Sequence, residues 1–511
     1  MPSEKGHPKG LYVLFATEMW ERFNFYGMRA MLVLFMTKAL LFDKVFASNV
    51  YGSYLSLVYL SPLIGGFMAD RYWGNRRSII SGGIVMALGE IVLFACGSVY
   101  HGMPHMATLL YFSGLGLMIA GNGFFKPNIS IMVGDLYPKG DQRKDAAYTI
   151  FYMGINTGGM FGPFICGLIA GENPENYRWA FLVAGVGMLL SVITLRIFHH
   201  RYVVTPEKKV LGLTPEGVSR KITGPVAVVG VMLGMILLSI GMLYADDKVF
   251  PYLNYLLIVA PIVVAVVIFS DKTLTSIQKQ HVGVIFIVCF FVIFFWAAFE
   301  QAGDSLTFFA DEQTDRHIGH YVVPAAIFQS LNSFFVVLFA PFFAFLWRKL
   351  GKWEPGSPTK MAFGLFFLAL GYLWISYGVK DVAPGIRVSM IWLTGMYAFH
   401  TCGELCLSPI GLSLVNQLAP VKFASLLMAV WFMANAMGNK LAGVLSTFYP
   451  EKDKPTSFLG YHMHNLNEFF MLFVFMAGAA SLLLFFVSRR IERMMKHEHK
   501  DAPLGEVEEN K

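Results

Sequence analysis

Apolar and polar residues do not alternate along this chain; they come in blocks. Runs of 18 or more mostly apolar residues recur from one end to the other, divided by short polar connections. A helix needs about 20 apolar residues to cross a bilayer. The pattern predicts fourteen spans, over 11–40, 49–69, 78–99, 105–134, 146–170, 178–198, 224–244, 250–270, 281–309, 318–347, 361–379, 386–416, 421–448 and 467–489. Several exceed the length of a crossing, so they tilt or project beyond the bilayer. The even number places both termini on one side.

The connections say which side. Those after odd-numbered spans carry few cations, among them Lys44, Arg178, Lys248 and Arg316. Those after even-numbered spans are basic, as in RYWGNRR (71–77), YPKGDQRK (137–144), HHRYVVTPEKK (199–209) and WRKLGKWEPGSPTK (347–360). The tail adds RRIERMMKH. Lys and Arg concentrate in cytoplasmic loops, so both termini are expected in the cytoplasm of a multi-pass cell-membrane protein. The first apolar stretch runs on as a full span, so it is not read as a cleaved leader. The longest polar connection starts near His199, and a hairpin with almost no internal charge (224–270) precedes the last six spans. The expected organisation is a six-helix bundle over 1–198, a linker and inserted hairpin over 199–280, a second six-helix bundle over 281–490, and a tail over 491–511. This is an all-α integral membrane fold resembling that of major-facilitator transporters, with a site between two six-helix halves.

Composition agrees. Of 511 residues, 56% are hydrophobic and 14% charged, against about 25% charged in soluble proteins. Mean hydropathy is +0.55. The net charge of +7 is accounted for by basic loops and implies no nucleic acid. The five Cys (96, 166, 289, 402, 406) fall in apolar segments without metal-ligand spacing, so no metal is expected. No nucleophile–base pair, phosphate loop or zinc motif marks an enzyme.

Ionisable groups inside a membrane are costly and therefore point to function. The first span holds Glu18, Glu21, Arg22 and Arg29, the fourth Lys126, the ninth Glu300 and Asp304, the twelfth His400 and Glu404. Spacings of three and four join Glu18, Glu21, Arg22, Tyr26 and Arg29 into one helical face, which should look into the bundle. Arg29 and Glu300 lie toward the same end of helices in opposite halves, which predicts a salt bridge there. Lys126 and Glu404 also lie in opposite halves. Charges facing each other across two halves are what an alternating-access gate needs, which makes all four gate candidates.

At these residues the chain resembles the proton-dependent oligopeptide transporter family, prokaryotic type. Glu18-x-x-Glu21-Arg22-Phe23-x-Phe25-Tyr26-Gly27 is similar to the family motif ExxERFxYYG. GGFMADRYWGNRRS (65–78), GNGFFKPNIS (121–130), FYMGINTGGMFGP (151–163), WAAFEQAGDSLTFFAD (296–311), FQSLNSFF (328–335) and GELCLSPIGLS (403–413) resemble further family signatures. There are departures. Phe25 stands where the motif has a first tyrosine, Ser333 follows Asn332 where proline is frequent, and the second span has no His.

The resemblance implies a proton-coupled symporter importing di- and tripeptides, needing no cofactor beyond the proton gradient and working as a monomer. A peptide presents a carboxylate, an ammonium and amides. Arg22 and Lys126 suit the carboxylate and Glu404 the ammonium, and the resemblance implies the same. It also places Tyr26, Tyr59, Asn156, Asn332 and Ser408 by the amides, with Trp296, Trp431 and Phe25 lining side-chain pockets. Glu18, Glu21, Arg22 and Glu300 are the expected proton-coupling set. Protonating Glu18 or Glu21 would free Arg22 for the substrate. The alternative is carriage of nitrate or another small anion on the same fold, against which Glu404 argues by repulsion.

Overall fold

The computed structural model describes residues 6–138, 141, 143–214, 225–244, 246–382, 386–451 and 455–496. Its helices are α1 (Lys9–Arg29), α2 (Leu32–Lys38), α3 (Lys44–Met68), α4 (Asn75–Val99), α5 (Pro104–Asp135), α6 (Arg143–Ala170), α7 (Tyr177–Tyr202), α8 (Pro225–Tyr244), α9 (Asp246–Ser270), α10 (Ser276–Phe299), α11 (Ser305–Glu312), α12 (Ser330–Leu350), α13 (Ser357–Gly378), α14 (Met390–Leu418), α15 (Ala424–Ser446) and α16 (Leu466–Lys496). With α1 and α2 forming one crossing, and α10 and α11 another, these make the fourteen predicted spans. Among the described residues, eleven helices are long and apolar enough to cross a membrane on those grounds alone. The first span falls short because it carries Glu18, Glu21, Arg22 and Arg29.

Three spans differ from their predicted form. The first breaks at Ala30–Met31. Met31 N–H closes a tight turn onto Met28 O, and the Ala30 carbonyl accepts from Gln329 Nε2 at 3.3 Å. A side chain from the other half therefore takes up a carbonyl at the break, one of the few local causes of a sharp kink. The ninth tightens into a 3-10 turn over Glu300–Gly303 and breaks at Asp304. There Gly303 lies so close to the Tyr51 hydroxyl that any Cβ would collide with it. The Asp304 carboxylate accepts from Ser48 Oγ at 2.8 Å. The sequence pattern starts the tenth at 318. Instead, His317–Ile318 and Tyr321–Val322 pair as a small antiparallel ladder turning at Gly319 (φ 62°), and helix starts only after Pro324. Pro fixes φ and lacks an N–H, which suits it to a helix start and not an interior.

The helices α1 to α7 pack among themselves, α1 lying on α6 and α7 and α4 on α5 and α7; likewise α13 lies on α14 and α16, and α10 on α15. The two groups meet along α3 with α15 and α6 with α12. At the first seam Gly52 faces Gly443, and a Cβ on Gly52 would sit 2.9 Å from Gly443 Cα. The backbones touch because neither residue has a side chain. The hairpin α8–α9 stands outside, α8 against α5 and α9 against α15. Only 22% and 17% of their apolar windows are buried, so most of their surface is left for lipid.

Candidate functional site

The charged stripe of α1 does face inward. Glu18, Glu21, Arg22 and Arg29 are buried, while Tyr26 is partly open. The approach of α6 makes room for it, because Gly158 lies directly against Met19 O and the Arg22 Cβ, where a larger residue would not fit. Arg22 Nε donates to Glu18 Oε1 at 2.8 Å and lies 2.6 Å from Glu21 Oε2. The Glu21 contact is close but poorly aligned, so it is ionic rather than a hydrogen bond. Glu21 Oε1 accepts from Asn122 Nδ2 at 3.2 Å. Arg22 Nη2 is buried without a hydrogen-bond partner, as is Glu18 Oε2. Phe25 is buried edge-on to Tyr26, its ring centroid 5.7 Å from the Arg22 guanidinium carbon.

Lys126 sits on α5 just before Pro127, with its ammonium 4.2 Å from the Tyr59 ring centroid, a cation–π contact. Arg22, Glu21, Glu18 and Glu300 all act on it electrostatically. Across the midline on α14, Glu404 Oε2 accepts from Asn332 Nδ2 at 2.8 Å, and the same amide reaches Thr401 Oγ1 at 3.2 Å. Tyr26 joins the two sides, being within electrostatic reach of Arg22 and Arg29 and of Glu300 and Glu404. Asn156 is buried and donates to Tyr152 O at 3.0 Å. Trp296 is half-buried with Nε1 unpartnered, and Trp431 is 7% exposed. Ser408 lies in a stretch of α14 whose side chains fall outside the described residues.

The predicted cross-half pairs behave differently. Arg29 Nη1 and Glu300 Oε2 are 2.9 Å apart, with the guanidinium carbon 5.0 Å from the Tyr26 ring centroid. Lys126 and Glu404 are not brought together. The reason is where the halves close. Their polar contacts gather at the end away from the termini: Lys38–Asp311 at 2.5 Å, Lys44–Glu312 at 2.6 Å, Ser48–Asp304 and the bidentate Arg316–Glu172 clamp. Lys126 and Glu404 are left to Tyr59 and Asn332. Beside Arg29 a small cavity of about 20 Å³ remains between Tyr26, Phe299, Asn332, Tyr397 and His400. That holds roughly one water.

Among the described residues, the buried charged side chains outside the sequence-derived set include Glu90 and Lys440. Glu90 on α4 is fully buried; its Oε1 accepts from Asn24 Nδ2 at 2.8 Å, and Asn24 also donates to Ala184 O. Lys440 on α15 donates to Ser53 Oγ on α3 at 2.7 Å, bridging the halves. The signal was present, since Glu90 is the one charged residue in span 78–99.

A model of the POT family matches residues 76–460. The peptide transporter YePEPT of Yersinia enterocolitica is 35% identical over 460 residues, covering 86% of this chain and 88% of that protein. A di-/tripeptide transporter of Lactococcus lactis is 33% identical, covering 87% and 90%. The crystal structure of a peptide transporter POT in complex with sulfate aligns at TM-score 0.79 with 33% identity, covering 97% of each chain. That of a POT family transporter with a thioalcohol-conjugated peptide aligns at 0.81 with 29% identity, covering 96% and 98%.

Proposed function

The chain belongs to the POT family and is an integral membrane peptide transporter; from that premise we propose that it imports di- and tripeptides together with protons by alternating access, across the cell membrane with both termini cytoplasmic. The observation that carries the site assignment is Arg22. Its guanidinium is buried, is shared by two carboxylates, and still has one nitrogen, Nη2, without a partner. A buried donor left unpaired costs about 1–3 kcal/mol. A peptide carboxylate would satisfy it, with the Lys126 ammonium as a second positive charge. Glu404, held by Asn332 on the opposite half, is suited to the peptide ammonium. Tyr26, Tyr59, Asn156, Asn332 and Ser408 are assigned to the peptide amides, and Trp296 and Trp431 to side-chain pockets.

Proton coupling follows from the sharing. While Glu18 and Glu21 are ionised they hold Arg22; a proton on either weakens its grip and releases the guanidinium to substrate. Proton and peptide then bind as a linked pair. The Arg29–Glu300 pair is assigned to closure of the end away from the termini, with Glu300 as a second proton site. Uptake of a labelled dipeptide into proteoliposomes, with and without an inward proton gradient, tests the reading. Accumulation should require the gradient, and nitrate should not compete. Glu21→Gln should retain counterflow exchange and lose gradient-driven accumulation; preserved accumulation would sink the coupling assignment.

A further inference from the structure

A second feature lies away from the central site. Arg76 and Arg77 open α4, and Arg196 lies near the end of α7 on the same face of the molecule. With Trp73, Ser81 and the turn Gly212–Thr214 they line a cavity of about 500 Å³. Its floor is held: Arg76 N–H donates to Gly212 O at 2.9 Å, and Thr214 Oγ1 donates to Trp73 O at 3.2 Å. Arg76 Nε is buried without a hydrogen-bond partner. The charged group acting on Arg76 is another cation, Arg196. His199 also feels the Arg76 charge. Three guanidinium groups thus surround one hollow, and two of them repel each other.

The surroundings say what the hollow suits. Arg77, Ser81, Ile84 and Leu88 recur at helical spacing on α4, as do Arg196, Ile193 and Leu189 on α7. Ile84, Leu88, Ile193 and Leu189 are all exposed. The basic hollow therefore continues into an apolar strip running toward the membrane interior. A soluble anion would meet the charges and leave the strip bare. A lipid meets both, because its phosphate answers the arginines and its acyl chains cover the isoleucines and leucines. We propose that the groove between α4 and α7 binds the phosphate headgroup of an anionic phospholipid, bracing the segment after α7 against the start of α4.

The test is native mass spectrometry of the full chain in detergent, titrated with phosphatidylglycerol and with phosphatidylcholine. One phosphatidylglycerol should be retained with at least a tenfold preference. The preference should fall below about threefold in Arg76→Gln/Arg196→Gln, and stay unchanged in Lys349→Gln/Lys352→Gln on the same membrane face. Equal retention of the two lipids, or an unaltered preference in the arginine double variant, overturns the proposal. So does displacement of the lipid by an equal concentration of soluble glycerol phosphate, which would mark a free-anion site. If the double variant does not fold, Ser81→Trp fills the groove and leaves every charge in place. Loss of the preference in that variant supports the site, and its retention overturns it.

Discussion

Arg29→Ala should open the end of the transporter away from the termini, and the structure gives the size of the effect. The Arg29 and Glu300 side chains are only 11% and 5% exposed, at 2.9 Å across the two halves. Removing one partner of a buried pair costs about 3–5 kcal/mol, mostly by stranding the other charge. The variant also loses the Arg29–Tyr26 ring contact. The penalty falls on the closed arrangement, since parting the halves gives Glu300 access to water. At about 1.4 kcal/mol per tenfold, 3 kcal/mol shifts the closed-to-open ratio by roughly a hundredfold. Lys44–Glu312 is the control: its side chains are 23% and 37% exposed, so it contributes about 0–1 kcal/mol, or at most roughly fivefold. Spin labels at Leu41 and Ile318, exposed and on opposite halves, would report the separation by pulsed electron resonance. The short-distance population should collapse in Arg29→Ala and change little in Lys44→Ala. Equal shifts in the two variants would refute the reasoning that burial decides the weight of each pair.

Three other outcomes are expected. Arg22→Lys keeps the charge but loses the fork, so dipeptide KM should rise by about tenfold or more, the weight of about 1.5–3 kcal/mol for a charge-assisted bond, with the fold intact by thermal melt. Gly443→Leu should force α3 from α15, because a Cβ there would already sit 2.5 Å from Ser48 O; overpacking of about 1–3 kcal/mol would favour the long distance between the labels. Glu172, on the loop between α6 and α7, gives a pH dependence. Burial alone would raise its carboxyl, but the hydrogen bond and charge of Arg316 outweigh this and hold it below the usual carboxylate range. A depressed folded value means the clamp contributes fully above about pH 4.3, the ordinary Glu value, and is lost as pH falls through the depressed one. With the carboxylate 45% exposed, the expected effect is small, and Glu172→Gln should flatten it in a pH 6 to 3 titration of the label distance.

Much of this arrangement was legible before any coordinates. The fourteen crossings follow from block hydropathy, and the stripe Glu18–Glu21–Arg22–Tyr26–Arg29 from helical spacing, because both are local properties of the chain. What stayed hidden depends on distant partners. The break at Ala30 has no Gly or Pro to announce it; Gln329 bonds its freed carbonyl from the other half. The break at Asp304 depends on Tyr51 and Ser48, both on α3. The hairpin before α12 was missed for a different reason, since a hydropathy window averages across Gly319 and Pro324. Glu90 and Lys440 were overlooked although the rule that flagged Lys126 applies equally to them. Glu90 is met by Asn24, a neutral amide, so a pairing of opposite charges does not point to it.

The closed end combines two kinds of contact, and the proposed alternating access draws on both. Moving a two-state carrier from 1:99 to 99:1 takes about 5.5 kcal/mol. Losing either partner of Arg29–Glu300 would cost the closed arrangement about 3–5 kcal/mol by stranding the other charge, which is most of that span. The rim pairs Lys38–Asp311 and Lys44–Glu312 add about 0–1 kcal/mol each, and the bare Gly52–Gly443 crossing sets how closely the halves come. Rim pairs alone would leave the closed arrangement too weakly populated. One buried pair in reach of Tyr26, which also senses Arg22 and Glu404, places a buried contact between the halves where occupancy of the proposed site would act on it.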